Sequence, residues 1–180
     1  MTGPVLPPGP PPPADADAGA PVARLATAAD LPGLTALRTR VFVEEQGVPP
    51  EVERDDRDAT AVHVVSLGLP ADGAPAGRVV ATGRLLVDGR RASIGRMAAD
   101  AAVRGRGHGA AVLAELHRQA RLRGATEVEL HAQVTARGFY ERAGYAAVGA
   151  EYLEAGIRHV TMRRTLAPDG DDRHADRAAP

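Results

Sequence analysis

Residues 94–120 read IGRMAADAAVRGRGHGAAVLAELHRQA, and this stretch constrains the chain more than any other. A strand-like run ends near Ala98. A loop follows with glycine at 105, 107 and 109, and a helix opens directly from it. Val112, Leu116 and Ala120 stack at i, i+4 and i+8 along that helix, which marks one face for burial. The fold must therefore hold a strand end against a helix N-terminus. The first N–H groups of a helix lack intrahelical partners, and the macrodipole adds about half a positive charge there. Gly105, Gly107 and Gly109 let an anion approach the backbone, and Arg104 and Arg106 add side-chain charge. A loop built this way is a phosphate cradle. A glycine-rich surface turn is the plainer alternative at this point.

Around this unit the patterning switches repeatedly between helix and strand periods. Val22–Leu25 reads as a short strand. Asp30–Val43 reads as a helix, with Leu34, Leu37, Val41 and Phe42 near helical spacing and Pro32 in the first turn. Glu44–Thr60 is charged, carries Pro49–Pro50, and reads as a loop with one helical turn at most. Ala61–Leu69, Arg78–Val87 and Arg91–Ala98 read as strands, with a turn cluster at Pro70–Gly77 and a hairpin signal at Asp88–Gly89. Gly107–Arg123 is the helix above, closed by Gly124. Glu127–Ala132 alternates as a half-buried strand does. Ala136–Ala143 is a short helix, and Tyr145–Val148 and His159–Arg164 are the last strands. Antiparallel hairpins followed by a β-α-β unit give an α+β fold: a mixed, mostly antiparallel central sheet flanked by helices, in a sandwich-like arrangement.

The first 21 residues hold eight of the 15 prolines and little apolar mass. They read as a disordered or polyproline-like tail, with a ligand for a proline-recognition module as the alternative. Residues 167–180 read as a second disordered tail, leaving one domain at 22–166. All 22 basic residues are Arg, and Cys is absent. Thiol nucleophiles, cysteine-bound zinc, Schiff-base lysines and a Walker-type lysine are thereby excluded. The net charge of −1 argues against a nucleic-acid partner. No apolar run reaches the roughly 20 residues of a membrane span, and no signal-peptide pattern opens the chain. A cytoplasmic protein with no membrane partner is the expectation.

The cradle's spacing is Arg104-x-x-Gly107-x-Gly109. This resembles the acyl-coenzyme A pyrophosphate loop of the GNAT (Gcn5-related) N-acetyltransferases, written Gln/Arg-x-x-Gly-x-Gly/Ala. Residues Phe139-Tyr140-Glu141-Arg142-Ala143-Gly144-Tyr145 resemble the family's FYxxxGF/Y element, in the expected order and spacing. Three further stretches resemble the ElaA-type branch: VFVEEQGVPPEVERDD (41–56), HAQ (131–133) and EYLEAGIRHVTM (151–162). Arg158 departs from the pattern, where proline is expected, and points to a change at the acceptor mouth.

The resemblance implies a GNAT-like acyl-CoA N-acyltransferase fold over 22–166. It implies transfer of an acetyl group from acetyl-CoA to a primary amine, small-molecule or peptide, by direct attack in a ternary complex. No metal is called for, and a homodimer is the expectation. The diphosphate then falls to the backbone of Arg104, Gly105, Arg106, Gly107, His108, Gly109 and Ala110. Pantetheine falls to the strand end at Arg96, Met97 and Ala98, where the Met97 amide would face the thioester oxygen. The Met97 side chain reads as core. Tyr140 is the expected general acid and a further cofactor contact; a phenol pKa of about 10 suits return of a proton to thiolate. Phe139 and Tyr145 read as core. Gln133 is expected to orient a water or a cofactor amide. For the general base, Glu44, Glu45, His131, Glu154 and His159 are all open, with His159 and Glu45 foremost. The acidic run Glu51, Glu53, Asp55, Asp56 and Asp58 is either a solvated loop or a lure for a cationic acceptor. A non-catalytic acyl-CoA-binding module and an acyltransferase for longer acyl-CoA donors also fit these residues.

Overall fold

The computed structural model describes residues 19–73 and 76–167. Of the tails expected at 1–21 and 167–180, residues 1–18 and 168–180 lie outside the described residues, as do 74–75 of the turn at 70–77. The elements are β1 (Ala23–Leu25), α1 (Leu31–Arg38), α2 (Pro50–Glu53), β2 (Val62–Leu67), β3 (Val79–Asp88) and β4 (Arg91–Ala99). They continue with α3 (His108–Leu122), β5 (Glu127–Gln133), α4 (Arg137–Arg142), β6 (Ala146–Glu154) and β7 (Ile157–Thr165). The strands form one sheet in the order β1-β2-β3-β4-β5-β7-β6. Among the described residues only β4 and β5 pair in parallel; their crossover contains α3. The expected mixed, mostly antiparallel sheet with flanking helices is what the chain forms.

Burial divides between the two faces of the sheet. Val64 and Val65 are neighbours on β2 and both fully buried, yet they enter different clusters because successive strand residues point to opposite faces. Val64 joins Leu85, Ile94, Val112, Leu116, Val128 and Met162 under α3. Val65 joins Leu34, Leu37 and Val41 under α1.

Three expectations change in detail. The first helix ends at Arg38 and gives way to a π-helical turn, Thr39–Glu45, which keeps Val41 buried while carrying the chain on to Gln46. The charged loop 44–60 holds α2 and a 3-10 turn, Asp56–Ala59. The strand expected at 145–148 runs on as β6 to Glu154, and a two-residue turn returns the chain as β7. Both turn residues, Ala155 (φ 49°) and Gly156 (φ 77°), are left-handed, as a tight hairpin of this kind requires. The length of β6 is hidden in the sequence because the strand is exposed on both faces, so no alternating apolar pattern is required of it.

Candidate active site

The site begins with a break in the sheet. The β3–β4 register shifts between Thr82 and Arg84, so Arg96 and Met97 together oppose Gly83. Arg96 sits at φ 54°, strained backbone for a residue with a Cβ. Its guanidinium is fixed by the carbonyls of Glu53 (2.9 Å) and Val52 (3.0 Å), which ties the bulge to α2. Gly83 matters here through contact, not φ: an added Cβ would lie 2.6 Å from both Leu116 Cδ1 and Met97 Sδ, so those side chains would have to shift. The Met97 side chain thus packs into the core beside α3, as expected.

Beyond the bulge β4 and β5 part. Their parallel pairing ends at Ile94–Leu130. Past that point β4 stays with β3 to Ala99, while β5 stays with β7 to Gln133–His159. A cleft of about 620 Å³ opens between them. Its walls include Arg96, Met97, Ala98 and Arg104 on one side and Gln133, Tyr140 and His159 on the other. The backbone of 95–99 has no β5 partner in this opening, so an extended ligand can lie along it as an added strand. Gln133 donates to Gln46 Oε1 at 2.8 Å, joining the end of β5 to the π-helical segment.

At one end of the cleft stands the phosphate loop. Asp100 starts it, accepting from the Ala102 amide (3.2 Å) and pairing with Arg78 (2.7 Å) and Arg40 (3.1 Å). Gly105 (φ 78°) and Gly107 (φ 91°) are both left-handed, so the loop's path depends on glycine. The first bond in α3 runs from Ala111 N–H to Gly107 O (2.9 Å), which leaves the amides of His108, Gly109 and Ala110 at the open end of the helix. Phe139 backs Gly109 at 3.8 Å from where a Cβ would stand, so this expected core residue also supports the cradle.

Comparison with known proteins agrees with this geometry. Residues 71–166 match the model of the acetyltransferase (GNAT) domain. The uncharacterized Bacillus subtilis protein YyaT is 31% identical over 146 residues, covering 81% of this chain and 96% of that protein. The chain belongs to the GNAT acetyltransferase family. Among solved structures, an acyl-CoA N-acyltransferase from Pseudomonas aeruginosa is 31% identical with a TM-score of 0.66, covering 81% of this chain and 99% of that one. Escherichia coli ElaA is 25% identical with a TM-score of 0.67, covering 80% and 99%. The protein is accordingly a GNAT-fold acetyltransferase, with relatives in the branch its motifs indicated.

Several expected site residues of this acetyltransferase meet at the cleft. Tyr140 lies at its wall, 7% exposed, packed edge-on against Phe139 and Tyr145. Burial pushes its phenol up to about 12, so it keeps its proton at neutral pH. His159 faces Gln133 across the β5–β7 pairing. Its Nδ1 lies 2.8 Å from the Ile157 carbonyl, which can only accept, so Nδ1 carries the proton. Nε2 is then the atom that takes a proton in the neutral ring. His131 and Glu154 also line the cleft and approach each other at 3.4 Å, both about half exposed.

Other residues are placed differently from expectation. Glu45 is held in a two-point pair with Arg104 (2.7 Å to each oxygen), and that hydrogen bonding and charge hold its carboxyl below the usual range. A carboxylate so engaged is a poor proton acceptor for as long as the pair with Arg104 holds. Glu44 lines a shallow groove along α1 instead of the cleft. The imidazole of His108 is fully buried, so only its backbone belongs to the cradle. Arg158 is 70% exposed beside Glu151, on the outer β6–β7 hairpin. Three of the five acidic side chains in the run, Glu53, Asp55 and Asp58, are engaged by arginine, while Glu51 and Asp56 stay exposed. Glu53 and Asp58 bind Arg38, Asp55 and Asp58 bind Arg84, and Arg57 binds Asp55. Sequence reading passed over Gln46 and Gly83. Gln46 lies within the 41–56 motif, and a glycine inside a strand pattern is the usual sign of a bulge or close contact. Among the described residues no group of three or more His, Asp or Glu is placed to hold a metal ion.

Proposed function

We propose that this acetyltransferase uses acetyl-CoA as donor and a primary amine as acceptor, with direct attack in a ternary complex. One observation carries the reading: a single cleft joins Arg104, at the start of the glycine loop that opens α3, to Tyr140 and His159. The amides of Gly107–Ala110, with Arg104 and Arg106, hold the diphosphate. Binding of the diphosphate draws Arg104 from its pair with Glu45. The edge of β4 at 96–98 pairs with pantetheine, and the Met97 amide polarises the thioester. Gln133, held by Gln46, orients a cofactor amide.

His159 Nε2 takes the proton that the amine must lose before it attacks. Tyr140 gives its proton to the leaving thiolate. The desolvation that raises the phenol to about 12 also raises a thiol leaving into the same walls, so donor and acceptor stay matched. The absence of Cys leaves no thiol to carry the acetyl group, in keeping with direct attack. A cytoplasmic location, testable by cell fractionation, and a homodimer formed along the free edge of β6 complete the proposal.

The test is acetyl transfer to a panel of amines, followed as free thiol release, with binding measured by calorimetry. Acetyl-CoA that does not bind overturns the reading. An acetylated protein detected by mass spectrometry without acceptor, and competent to pass the group on, overturns direct attack. Faster turnover with longer acyl-CoA donors changes the donor.

A further inference from the structure

His108 is the first residue of α3, and its imidazole has no part in the chemistry above. It is 0% exposed and bridges two other elements. Nδ1 lies 2.8 Å from Ser66 Oγ on β2, and Nε2 lies 2.9 Å from Asp72 Oδ2 in the turn after β2. Ser66 has one hydroxyl proton and donates it to the Val22 carbonyl at 2.9 Å. With the hydroxyl proton placed on that carbonyl, Nδ1 donates to Ser66 Oγ. The Asp72 carboxylate only accepts, so Nε2 donates as well. A ring that donates from both nitrogens is an imidazolium.

The same turn grips the loop at a second point. Arg106 donates to Ala71 O (3.0 Å) and stands 3.9 Å from Asp72 Oδ1. Asp72 also accepts from the Leu69 amide at 2.8 Å, which closes its own turn. The residues on both sides of Gly107 are thus fastened to 69–72, while Ser66 fastens the segment before β1 at Val22. Charge gives this a purpose. A buried carboxylate next to a diphosphate cradle repels the ligand unless a cation cancels it, and the imidazolium does so from within hydrogen-bond distance.

We propose that His108 is a positioning residue for the donor: its imidazolium, paired with Asp72, holds residues 104–110 in the shape that receives the diphosphate and shields that diphosphate from the Asp72 charge. This rests on the reading of that loop as the diphosphate site. The pair lies behind the loop, so its loss should act on donor binding and leave the chemical step alone.

Nitrogen-15 NMR of the wild-type protein at neutral pH tests the ring, and steady-state kinetics of His108→Gln and Asp72→Asn test its effect. The expected results are protons on both nitrogens of His108, a KM for acetyl-CoA raised about tenfold in each variant, and a kcat within about twofold of wild type. A singly protonated ring, an unchanged KM, or a fall confined to kcat would overturn the inference. The wild-type spectrum decides even if neither variant folds. Wild-type protein that binds no acetyl-CoA overturns the proposed function instead. Wild-type protein that binds it, with variants binding equally well, overturns only the role of His108.

Discussion

Tyr140 shows how a residue's chemistry is set by its surroundings. On a free chain it is a phenol of pKa about 10. Packed against Phe139 and Tyr145 it rises to about 12 through desolvation alone. If it returns the proton to the leaving thiolate, Tyr140→Phe keeps the packing and removes the proton. The kcat should fall about 10²–10⁴-fold while the Kd for CoA stays within about twofold, as read by steady-state kinetics and calorimetry. A kcat within about threefold of wild type would remove Tyr140 from the mechanism. Tyr140 was legible from the FY element because a local motif carries it. The state of Glu45 was not. Its partner Arg104 lies 59 positions along the chain, and only folding brings the two within 2.7 Å.

At the scale of elements, the bulge and the glycine opposite it work as a unit. Met97 and Leu116 both reach into the space that a Cβ on Gly83 would occupy. Gly83→Ala should therefore force the α3 contact apart and destabilise the fold by about 1–3 kcal/mol, measured by urea unfolding. A loss under about 0.5 kcal/mol would show that these side chains yield freely. The types and order of the strands and main helices followed from apolar spacing and turn residues. The bulge did not, because a register shift depends on what lies across the sheet. The extent of β6 escaped for a related reason. Only Tyr152 among its residues is half-buried, so burial imposes no pattern on the strand.

For the whole molecule, the Arg38–Glu53–Asp58–Arg84–Asp55 network ties α1, α2 and the 3-10 turn at 56–59 to β3. Burial alone would raise the Asp58 carboxyl. The Arg38 and Arg84 guanidinium groups outweigh it and hold the pKa at about 2. Asp55 is likewise held well below its ordinary value, by Arg84 and Arg57 against the effect of burial. A carboxyl with a lowered folded pKa adds stability that is full above its unfolded value of about 3.9 and is lost as pH falls through the folded one. The urea midpoint should thus hold steady from about pH 7 to 5 and drop between about pH 4 and 2, with a shallower drop in Asp58→Asn. An equal drop in that variant would assign acid sensitivity elsewhere. At the far side of the sheet, β6 ends the strand order, with one edge unpaired among the described residues and Val148 and Leu153 exposed. If two copies pair there, light scattering should give twice the chain mass, and Leu153→Lys, which sets a charge on this exposed edge strand, should give monomer. A wild-type monomer at micromolar concentration would reject the dimer.

The sequence by itself determined the strand–glycine loop–helix unit, the family, the order of elements and the position of Tyr140. Each is written in local spacing, since propensity, turn chemistry and helix-end electrostatics act over a few residues. The tertiary structure decided where β4 and β5 part, that Glu45 binds Arg104, that Glu53, Asp55 and Asp58 are neutralised by Arg38 and Arg84, and that the His108 ring turns inward to Ser66 and Asp72. These depend on residues distant in the chain, whose partners are chosen only when the sheet closes around them.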